Sequence, residues 1–240
     1  YKSIEDIYDN SPSRITTSKN PRREDGSIDE QYLLSYLNTY LPKYNITSDG
    51  FVLPMLAKTL EDNKPFDKYG DMLGQYKING LRCLIGATRS NDMFNTIEFT
   101  YTSREGTKWN LKWFDEILIH SISNDLLELM TEEGVSLDGE LYLPGYTVND
   151  INSFVKNPSM PQHKLLQYWC YDIAIENMSA IRRQEYLNSN IYLPIIQYNK
   201  ELHLSNKKQF VRLPNVVVTN IVHATELRDM YIERGFEGTT

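Results

Sequence analysis

Apolar residues recur after residue 50 with two different spacings. In some segments they alternate with polar residues or form short continuous runs, and this pattern predicts β-strands. In others they recur every three or four residues, which predicts helices with one buried face. The predicted strands lie at residues 73–78, 81–89, 96–104, 135–144, 165–175 and 211–222. The predicted helices lie at residues 110–133, 150–157, 182–190 and 224–235, the last of them ending at Gly235.

Short strands with interspersed helices favour an α+β fold with mixed or antiparallel sheets. Because strand and helix do not alternate regularly, the same order argues against a Rossmann fold.

The first 50 residues have a different pattern of polar and apolar positions. Residues 11–27 are polar and aperiodic, which predicts an irregular segment, whereas residues 28–44 carry an apolar stripe at helical spacing that Pro42 closes. The basic residues of the irregular segment either contact phosphate or lie in a solvated loop, and they are Arg14, Lys19, Arg22 and Arg23.

The composition predicts a soluble globular protein with an acidic surface. Of 240 residues 40% are apolar, the formal net charge is -7 and the pI is about 5.2. This acidity argues mildly against binding nucleic acid by overall charge, although a local basic stripe is compatible with it. No apolar run approaches the roughly 20 residues that span a bilayer. Cys83 and Cys170 form no metal or disulfide pattern, so two buried thiols in an intracellular protein are expected.

The first candidate for chemistry is Lys77, which opens the sequence Lys-Ile-Asn-Gly-Leu-Arg at residues 77–82. Asn79-Gly80 between two apolar runs is a strong turn signal, and it predicts that the two strands around it are joined there. A lysine amine is a nucleophile only when it is neutral, which requires desolvation or a nearby cation such as Arg82. Taken alone, the segment is better explained as a hairpin with two surface cations.

Carboxylates mark two of the predicted strands. Asp138 and Glu140 flank Gly139, and the alternation of a strand puts both side chains on the same face. Such a pair binds a metal ion or hydroxyl groups, or else belongs to a solvated turn. Asp172 follows Tyr171 within an otherwise apolar strand, and a buried aspartate needs a partner.

Two shorter segments complete the set of candidates. Ser-Arg-Glu-Gly at residues 103–106 ends a predicted strand with a cation and a flexible glycine. Glu237 and Gly238 follow the last predicted helix and the aromatic residue Phe236. Each segment alone is weak evidence of function. The order of all five segments along the chain is stronger evidence.

In this order the five segments resemble the motifs of the covalent nucleotidyltransferase superfamily of polynucleotide ligases and mRNA capping enzymes. The family motifs are Lys-x-Asp-Gly-x-Arg or its Asn form, Ser/Thr-Arg-x-Gly, Asp-Gly-Glu, an aromatic residue followed by Asp, and Glu-Gly. Pro-Met-Leu-Ala at residues 54–57 and Gly-Phe-Glu-Gly at residues 235–238 are typical of ATP-dependent DNA ligases in particular, and the leader resembles that of phage and viral members. The resemblance covers residues 50–240.

The resemblance implies a domain organisation. Residues 51–240 would form an α+β nucleotidyltransferase domain, ATP-grasp-like, in which helices flank antiparallel sheets, and residues 1–50 would be an N-terminal extension. The family's next motif, which carries two lysines, and its OB domain are missing before Thr240. The domain is therefore expected to be truncated here, and the protein to continue.

The resemblance also assigns the catalytic residues. Lys77 would attack the α-phosphate of ATP, become attached to AMP, and pass the AMP to the 5′-phosphate of a nick in duplex DNA. Arg82 and Arg104 would bind the nucleotide or the nick phosphate. Asn79 stands where most DNA ligases of the family have Asp, so a hydrogen-bonding group is kept and a charge is absent.

The remaining expected contacts hold the nucleotide and a divalent metal, Mg²⁺ or alternatively Mn²⁺. Glu140 would hold the ribose hydroxyls and Tyr171 would stack on the adenine, which its flat ring suits. Glu237, with Glu140, would bind the metal. The backbone around Gln75 and Tyr76 would read the edge of the base.

The enzyme that the resemblance implies is an ATP-dependent DNA ligase with ATP and nicked duplex DNA as partners, without a membrane partner, and monomeric. The nearest alternatives are an RNA ligase or a GTP-dependent mRNA capping enzyme of the same superfamily. A non-catalytic nucleic-acid-binding descendant and an acidic α+β domain with chance motifs are the alternatives from other classes. Preference for adenine or guanine separates the ligases from the capping enzyme.

Overall fold

The structure is a computed structural model of the chain. It describes residues 59–91, 93–94, 96–191 and 209–240 in full, and the backbone alone at residues 45–46 and 52–53. The irregular segment and the helix predicted within residues 11–44 lie outside the described residues. Within the described part, no helix is both long and apolar enough to cross a bilayer.

The secondary structure of this part consists of short elements, labelled here in chain order. The helices are α1 (Lys64–Tyr69), α2 (Asp115–Ser121), α3 (Asn124–Glu132), α4 (Val148–Lys156), α5 (Ala180–Asn190) and α6 (Ile221–Glu233), with 3-10 turns at Lys112–Phe114 and Pro161–Leu165. The strands are β1 (Asn45–Ile46), β2 (Val52–Leu53), β3 (Met72–Gly74), β4 (Tyr76–Lys77), β5 (Leu81–Arg89), β6 (Ile97–Ser103), β7 (Lys108–Trp109), β8 (Leu137–Tyr142), β9 (Gln167–Ile173), β10 (Phe210–Arg212), β11 (Val216–Val218) and β12 (Gly238–Thr239).

Six strands form the main sheet, in the order β10-β9-β8-β5-β6-β7. β10 and β9 are parallel, and every other neighbouring pair in this sheet is antiparallel. The strands predicted at residues 81–89, 96–104, 135–144 and 165–175 correspond to β5, β6, β8 and β9. The predicted α+β class with antiparallel sheets and flanking helices is therefore confirmed.

The region around Asn79-Gly80 differs from the prediction. The single strand predicted at residues 73–78 is interrupted at Gln75, and its second part, β4, pairs with β12 rather than with β5. The predicted hairpin at Asn79-Gly80 is therefore wrong, because the chain passes there from one sheet to another. A Cβ atom on Gly80 would lie 2.3 Å from the carbonyl oxygen of Leu141, so the glycine is needed for close approach to β8.

The single helix predicted over residues 110–133 is also divided. A 3-10 turn and α2 precede a break at Ile122 and Ser123, after which α3 begins. Ile122 forms a β-bridge with Ile191, and the Ser123 hydroxyl caps α3 by accepting the N–H of Leu126 at 3.0 Å. The helical spacing of apolar residues continues across the break because α2 and α3 face the same core.

The strand predicted over residues 211–222 is two strands in different sheets. β10 extends the main sheet, whereas β11 pairs with β3. Pro214 lies between them, and a proline cannot donate a ladder hydrogen bond. The helices predicted at 150–157, 182–190 and 224–235 are confirmed within three residues at each end as α4, α5 and α6.

Two apolar clusters pack on opposite faces of the main sheet. Along β9, Tyr168 and Cys170 belong to the larger cluster and Trp169 to the smaller, as the alternation of a strand requires. Cys83 also lies in the larger cluster, and it and Cys170 are buried free thiols as expected. In the smaller cluster the ring of Tyr76, in β4, stacks on that of Phe236, which follows α6, with centroids 4.5 Å apart. This contact fixes β4 against the residues just after α6.

Gly139 lets a tyrosine cross over β8. The ring of Tyr168 reaches from β9 across β8, and its hydroxyl donates a hydrogen bond to the carbonyl of Cys83 in β5 at 3.1 Å. A Cβ atom on Gly139 would lie 2.5 Å from Cζ of Tyr168 and 2.6 Å from the carbonyl oxygen of Trp169. The residue between Asp138 and Glu140 therefore has no room for a side chain.

We expect Gly139→Ala to lower the free energy of unfolding by about 1–3 kcal/mol, the cost of forcing an extra methyl group into a packed core. Urea unfolding followed by circular dichroism measures this loss. Gly86→Ala in β5 is the matched control, because its Cβ atom would meet only the Thr100 and Ser136 hydroxyls, at 3.0 and 3.5 Å. Equal losses for the two variants would contradict the close-packing argument.

Candidate active site

One cleft of about 640 Å³ collects the residues to which the sequence assigned chemistry. Its walls are the β4–β5 connection, the turn after β6, parts of β8 and β9, the start of α5, and the residues on either side of β12. All nine predicted site residues line it, and they are Gln75, Tyr76, Lys77, Asn79, Arg82, Arg104, Glu140, Tyr171 and Glu237. Residues that are up to 162 positions apart in the chain therefore share one cavity.

Lys77 and Glu237 form an ion pair at the mouth of the cleft. The Nζ atom of Lys77 lies 2.6 Å from a carboxylate oxygen of Glu237, and the side chains are 48% and 39% exposed. The pairing of β4 with β12 sets this contact, because the Glu237 N–H also donates to the Lys77 carbonyl at 3.1 Å. A carboxylate therefore holds the Lys77 amine in place while the amine remains accessible from the cleft.

Arg82 lies deeper and is paired with Asp138. Its Nε and Nη2 atoms donate to the two carboxylate oxygens of Asp138 at 3.0 and 2.5 Å. Burial alone would lower the pKa of Arg82, but the hydrogen bonds and charge of Asp138 raise it. Burial raises the pKa of Asp138, and Arg82 opposes that rise. The paired charges form a rigid floor, so the charge of Arg82 is largely compensated before any phosphate enters.

Glu140 faces the cleft from β8, directly opposite Arg82 in the pairing with β5. Burial raises the pKa of Glu140 to about 8, with Arg82 lowering it and Asp138 raising it further. The N–H of Gly80 donates to the Glu140 carboxyl group, which orients it. Near neutral pH this group therefore carries a proton and can donate as well as accept hydrogen bonds, which suits contact with sugar hydroxyls.

Tyr171 occupies a β-bulge. β8 pairs Asp138 with Asp172 and Gly139 with Cys170, so Tyr171 is an extra residue without a partner across β8. The Arg82 guanidinium lies 5.6 Å from the centroid of its ring. Burial raises the pKa of Tyr171 well above its ordinary value, and a hydrogen bond to Asp138 adds to the rise. Its ring therefore stays neutral and is held at the inner wall of the cleft.

The other predicted site residues lie around the rim of the cleft and at its inner end. Arg104 and Asn79 are exposed at the rim, whereas Tyr76 is buried with its ring in the smaller apolar cluster. The N–H and C=O groups of Gln75 already pair with Thr240 at 2.8 and 3.1 Å. The Thr239 hydroxyl also donates to the Gln75 carbonyl, at 3.0 Å, so both lone pairs of that oxygen already have donors. A base could be read by this backbone only by displacing one of these donors.

Carboxylates of the cleft form the candidate metal-binding group. Among the described residues, no cluster of three or more His, Cys, Asp or Glu side chains has the geometry of a metal site. Glu140 and Glu237 are near enough to affect each other electrostatically. Mg²⁺ is usually held by one or two carboxylates together with substrate phosphates and water. The two glutamates fit that mode of binding once Glu237 leaves Lys77 and Glu140 loses its proton.

Several cleft residues carried no sequence signal for a role in the site. Gln184 and Asn215 line the cleft, and their amides connect to the backbone of Tyr171. Asp172, for which burial predicted a partner, has one in Arg183, at 2.8 and 2.7 Å. A glutamine within a polar helix and an asparagine after a proline are common surface residues, so only the tertiary structure reveals these contacts.

No protein-family model and no curated protein matches this chain. Solved structures do match it. The ATP-dependent DNA ligase from bacteriophage T7, in complex with ATP, aligns with a TM-score of 0.50 and 16% identity over 73% of this chain and 57% of the phage chain. A Chlorella virus DNA ligase-adenylate aligns with a TM-score of 0.47 and 21% identity over 81% of this chain and 60% of the viral chain.

The described chain therefore shares its fold with the matched part of the T7 DNA ligase. The fold that the motifs implied is therefore confirmed. The chain spans about half the length of further DNA ligases that it matches, 51% of another Chlorella virus DNA ligase-adenylate and 53% of a Lig E DNA ligase.

The raised pKa of Glu140 predicts that the fold loses stability as pH rises. Because the folded chain holds this proton up to about pH 8 and the unfolded chain releases it near pH 4.5, the stabilisation is complete below pH 4.5 and lost on passing pH 8. The slope is at most about 1.4 kcal/mol per pH unit. Urea unfolding at pH 5 and pH 8.5 should show a smaller decline for Glu140→Gln than for the wild type. Equal declines would contradict a buried, protonated Glu140.

Proposed function

We propose that the protein is an ATP-dependent DNA ligase in which Lys77 becomes covalently attached to AMP. The observation that carries the proposal is the gathering of all nine predicted site residues in one cleft with the Lys77 amine at its mouth. The ligase-domain fold supports it independently. The proposal includes sealing of nicks in duplex DNA, in the setting of repair, replication or recombination.

In the first step the Nζ atom of Lys77 forms a bond to the α-phosphorus of ATP, and the bond to pyrophosphate breaks with its electron pair leaving on pyrophosphate. The ammonium must first lose a proton and leave Glu237, because only a neutral amine is nucleophilic. Arg104 lies at the rim, where an exposed cation can receive phosphate oxygens. The Arg82–Asp138 pair keeps the floor rigid, so positioning of the nucleotide is the main contribution of this part of the cleft.

Two carboxyl groups would serve the sugar and the metal. Glu140, protonated near neutral pH, would contact the ribose hydroxyls, and Tyr171 would receive the adenine ring. Glu237, together with Glu140 once Glu140 has lost its proton, would hold Mg²⁺ or Mn²⁺, which when bound supplies neutralisation of phosphate charge. In later steps the AMP passes to the 5′-phosphate of a nick, and the 3′-hydroxyl displaces it to join the strand. Asn79, exposed at the rim, can offer hydrogen bonds there without adding charge.

We expect incubation with α-labelled ATP and Mg²⁺ to label the protein, and Lys77→Arg to abolish the label. Arginine keeps the charge opposite Glu237 and is not a nucleophile, so the fold should be preserved. Denaturing electrophoresis detects the adduct, which should be labile to acid or hydroxylamine and stable to alkali. Lys156→Arg, at the end of α4 and outside the cleft, is the matched control and should label like the wild type.

Each other result of this labelling has a definite meaning. Label retained in Lys77→Arg would overturn the assignment of the nucleophile. Label from GTP but not from ATP would replace the ligase proposal by a capping enzyme of the same superfamily. Absence of label from both nucleotides would contradict the proposed chemistry.

The second step makes its own prediction. When the labelled protein is freed of ATP and mixed with a nicked duplex DNA, the label should pass to the 5′-phosphorylated strand. The same duplex with a 5′-hydroxyl at the nick is the control and should leave the label on the protein. Transfer to a nicked RNA duplex but not to DNA would indicate an RNA ligase instead.

A further inference from the structure

Two consecutive residues of α5 contact two consecutive residues of β9 at the inner wall of the cleft. Arg183 donates through Nε and Nη2 to the Asp172 carboxylate, at 2.8 and 2.7 Å. Gln184 donates through Nε2 to the carbonyl oxygen of Tyr171, at 2.7 Å. Both α5 side chains are buried, with 3% and 7% of their surface exposed. The first turn of α5 therefore holds the bulge from one side.

A second side-chain amide donates to the same carbonyl. Gln75 donates through Nε2 to the Tyr171 carbonyl at 2.9 Å. In a regular strand this carbonyl would find its partner in the ladder, but the bulge leaves Tyr171 without a residue opposite it on β8. Two side-chain amides thus take the place of the missing strand contact, and they fix the backbone from which the Tyr171 ring projects.

The orientation of the Gln184 amide is itself determined. A carbonyl oxygen only accepts hydrogen bonds, so the Gln184 nitrogen must face Tyr171 and its oxygen must face away. That oxygen accepts a hydrogen bond from Nδ2 of Asn215 at 2.8 Å. Asn215 therefore prevents the Gln184 amide from rotating, and the three residues form a directional chain of donors and acceptors.

We propose that Gln184 is a positioning residue, which fixes the Tyr171 ring to receive the base of the nucleotide, with Asn215 as its support. This inference rests on the proposed function, because it takes the base to lie on Tyr171. Gln184 does not need to touch the nucleotide, since it acts through the backbone of Tyr171. Its contribution is confined to the base and does not extend to the phosphates.

The test compares the dissociation constants of ATP and of inorganic tripolyphosphate, measured by isothermal titration calorimetry on the full chain. Gln184→Met keeps the length of the side chain and removes the donor. We expect it to weaken ATP binding about three- to tenfold, the effect of one lost hydrogen bond, and to leave tripolyphosphate binding unchanged. Gln209→Met is the matched control, because Gln209 also donates from an amide to a main-chain carbonyl, that of Lys164, outside the cleft.

A double-mutant cycle identifies the residue through which Gln184 acts. In the Tyr171→Leu background, Gln184→Met should have no further effect on ATP affinity, because the ring that it positions is absent. Losses that multiply in the double variant would overturn the proposal, as would equal losses for ATP and tripolyphosphate. Asn215→Leu should weaken ATP binding in the same selective way but less, and it provides the test if Gln184→Met does not fold.

The outcomes separate this inference from the proposed function. Unchanged ATP affinity in Gln184→Met together with normal labelling of Lys77 would overturn the inference and leave the ligase proposal intact. The selective loss of ATP affinity without any labelled adduct would support the positioning role in a protein that only binds nucleotides. Failure of the wild type to bind ATP would overturn both.

Discussion

The ion pair between Arg82 and Asp138 is the contact on which the floor of the cleft depends. Asp138 is almost completely buried, and a buried carboxylate without a partner is strongly destabilising. Two directed hydrogen bonds satisfy it and tie β5 to β8 at one fixed register. Glu140 and Tyr171 take their places relative to this pair, so the shape of the cleft follows from a charge that must be neutralised.

The mouth of the cleft is built by different means. Lys77 lies on β4 and Glu237 directly precedes β12. These two short strands have few hydrogen bonds of their own, and aromatic packing holds them together. The Tyr76 ring lies against both Phe236 and Tyr231, with centroids 4.5 and 4.4 Å apart. The strand that carries Lys77 is therefore anchored by the smaller, aromatic cluster, whereas Arg82, Glu140 and Tyr171 lie on strands of the large sheet.

The predicted site residues line one cleft, and the sequence drew attention to them because their chemistry is unusual for their position. A lysine before Asn-Gly, two carboxylates around a glycine and an aspartate in an apolar strand all conflict with simple burial, and such conflicts mark sites. Their meeting in one cavity came from the resemblance, since periodicity cannot place distant strands. The prediction of a hairpin at Asn79-Gly80 was wrong because turn chemistry shows only that the chain bends, and not which strand it next pairs with.

The contacts of Gln184 and Asn215 could not be predicted from the sequence for a related reason. A glutamine in a helix and an asparagine in a loop are each satisfied by water just as well as by a neighbour. Their role arises only because a bulge in β9 exposes a carbonyl that needs donors. Likewise, the helix break at Ser123 could not be predicted from the spacing of apolar residues, because α2 and α3 both pack their apolar faces against the same core.

The crossing of Tyr168 over Gly139 has a consequence for folding. If β8 paired one residue out of register, the aromatic ring would meet Asp138 or Glu140 in place of the glycine, and a carboxylate would be driven into the apolar layer. A misaligned sheet would thus suffer both a steric clash and the burial of an unpaired charge. The Asp-Gly-Glu sequence therefore favours the native register of β8 as the sheet forms, independently of any nucleotide.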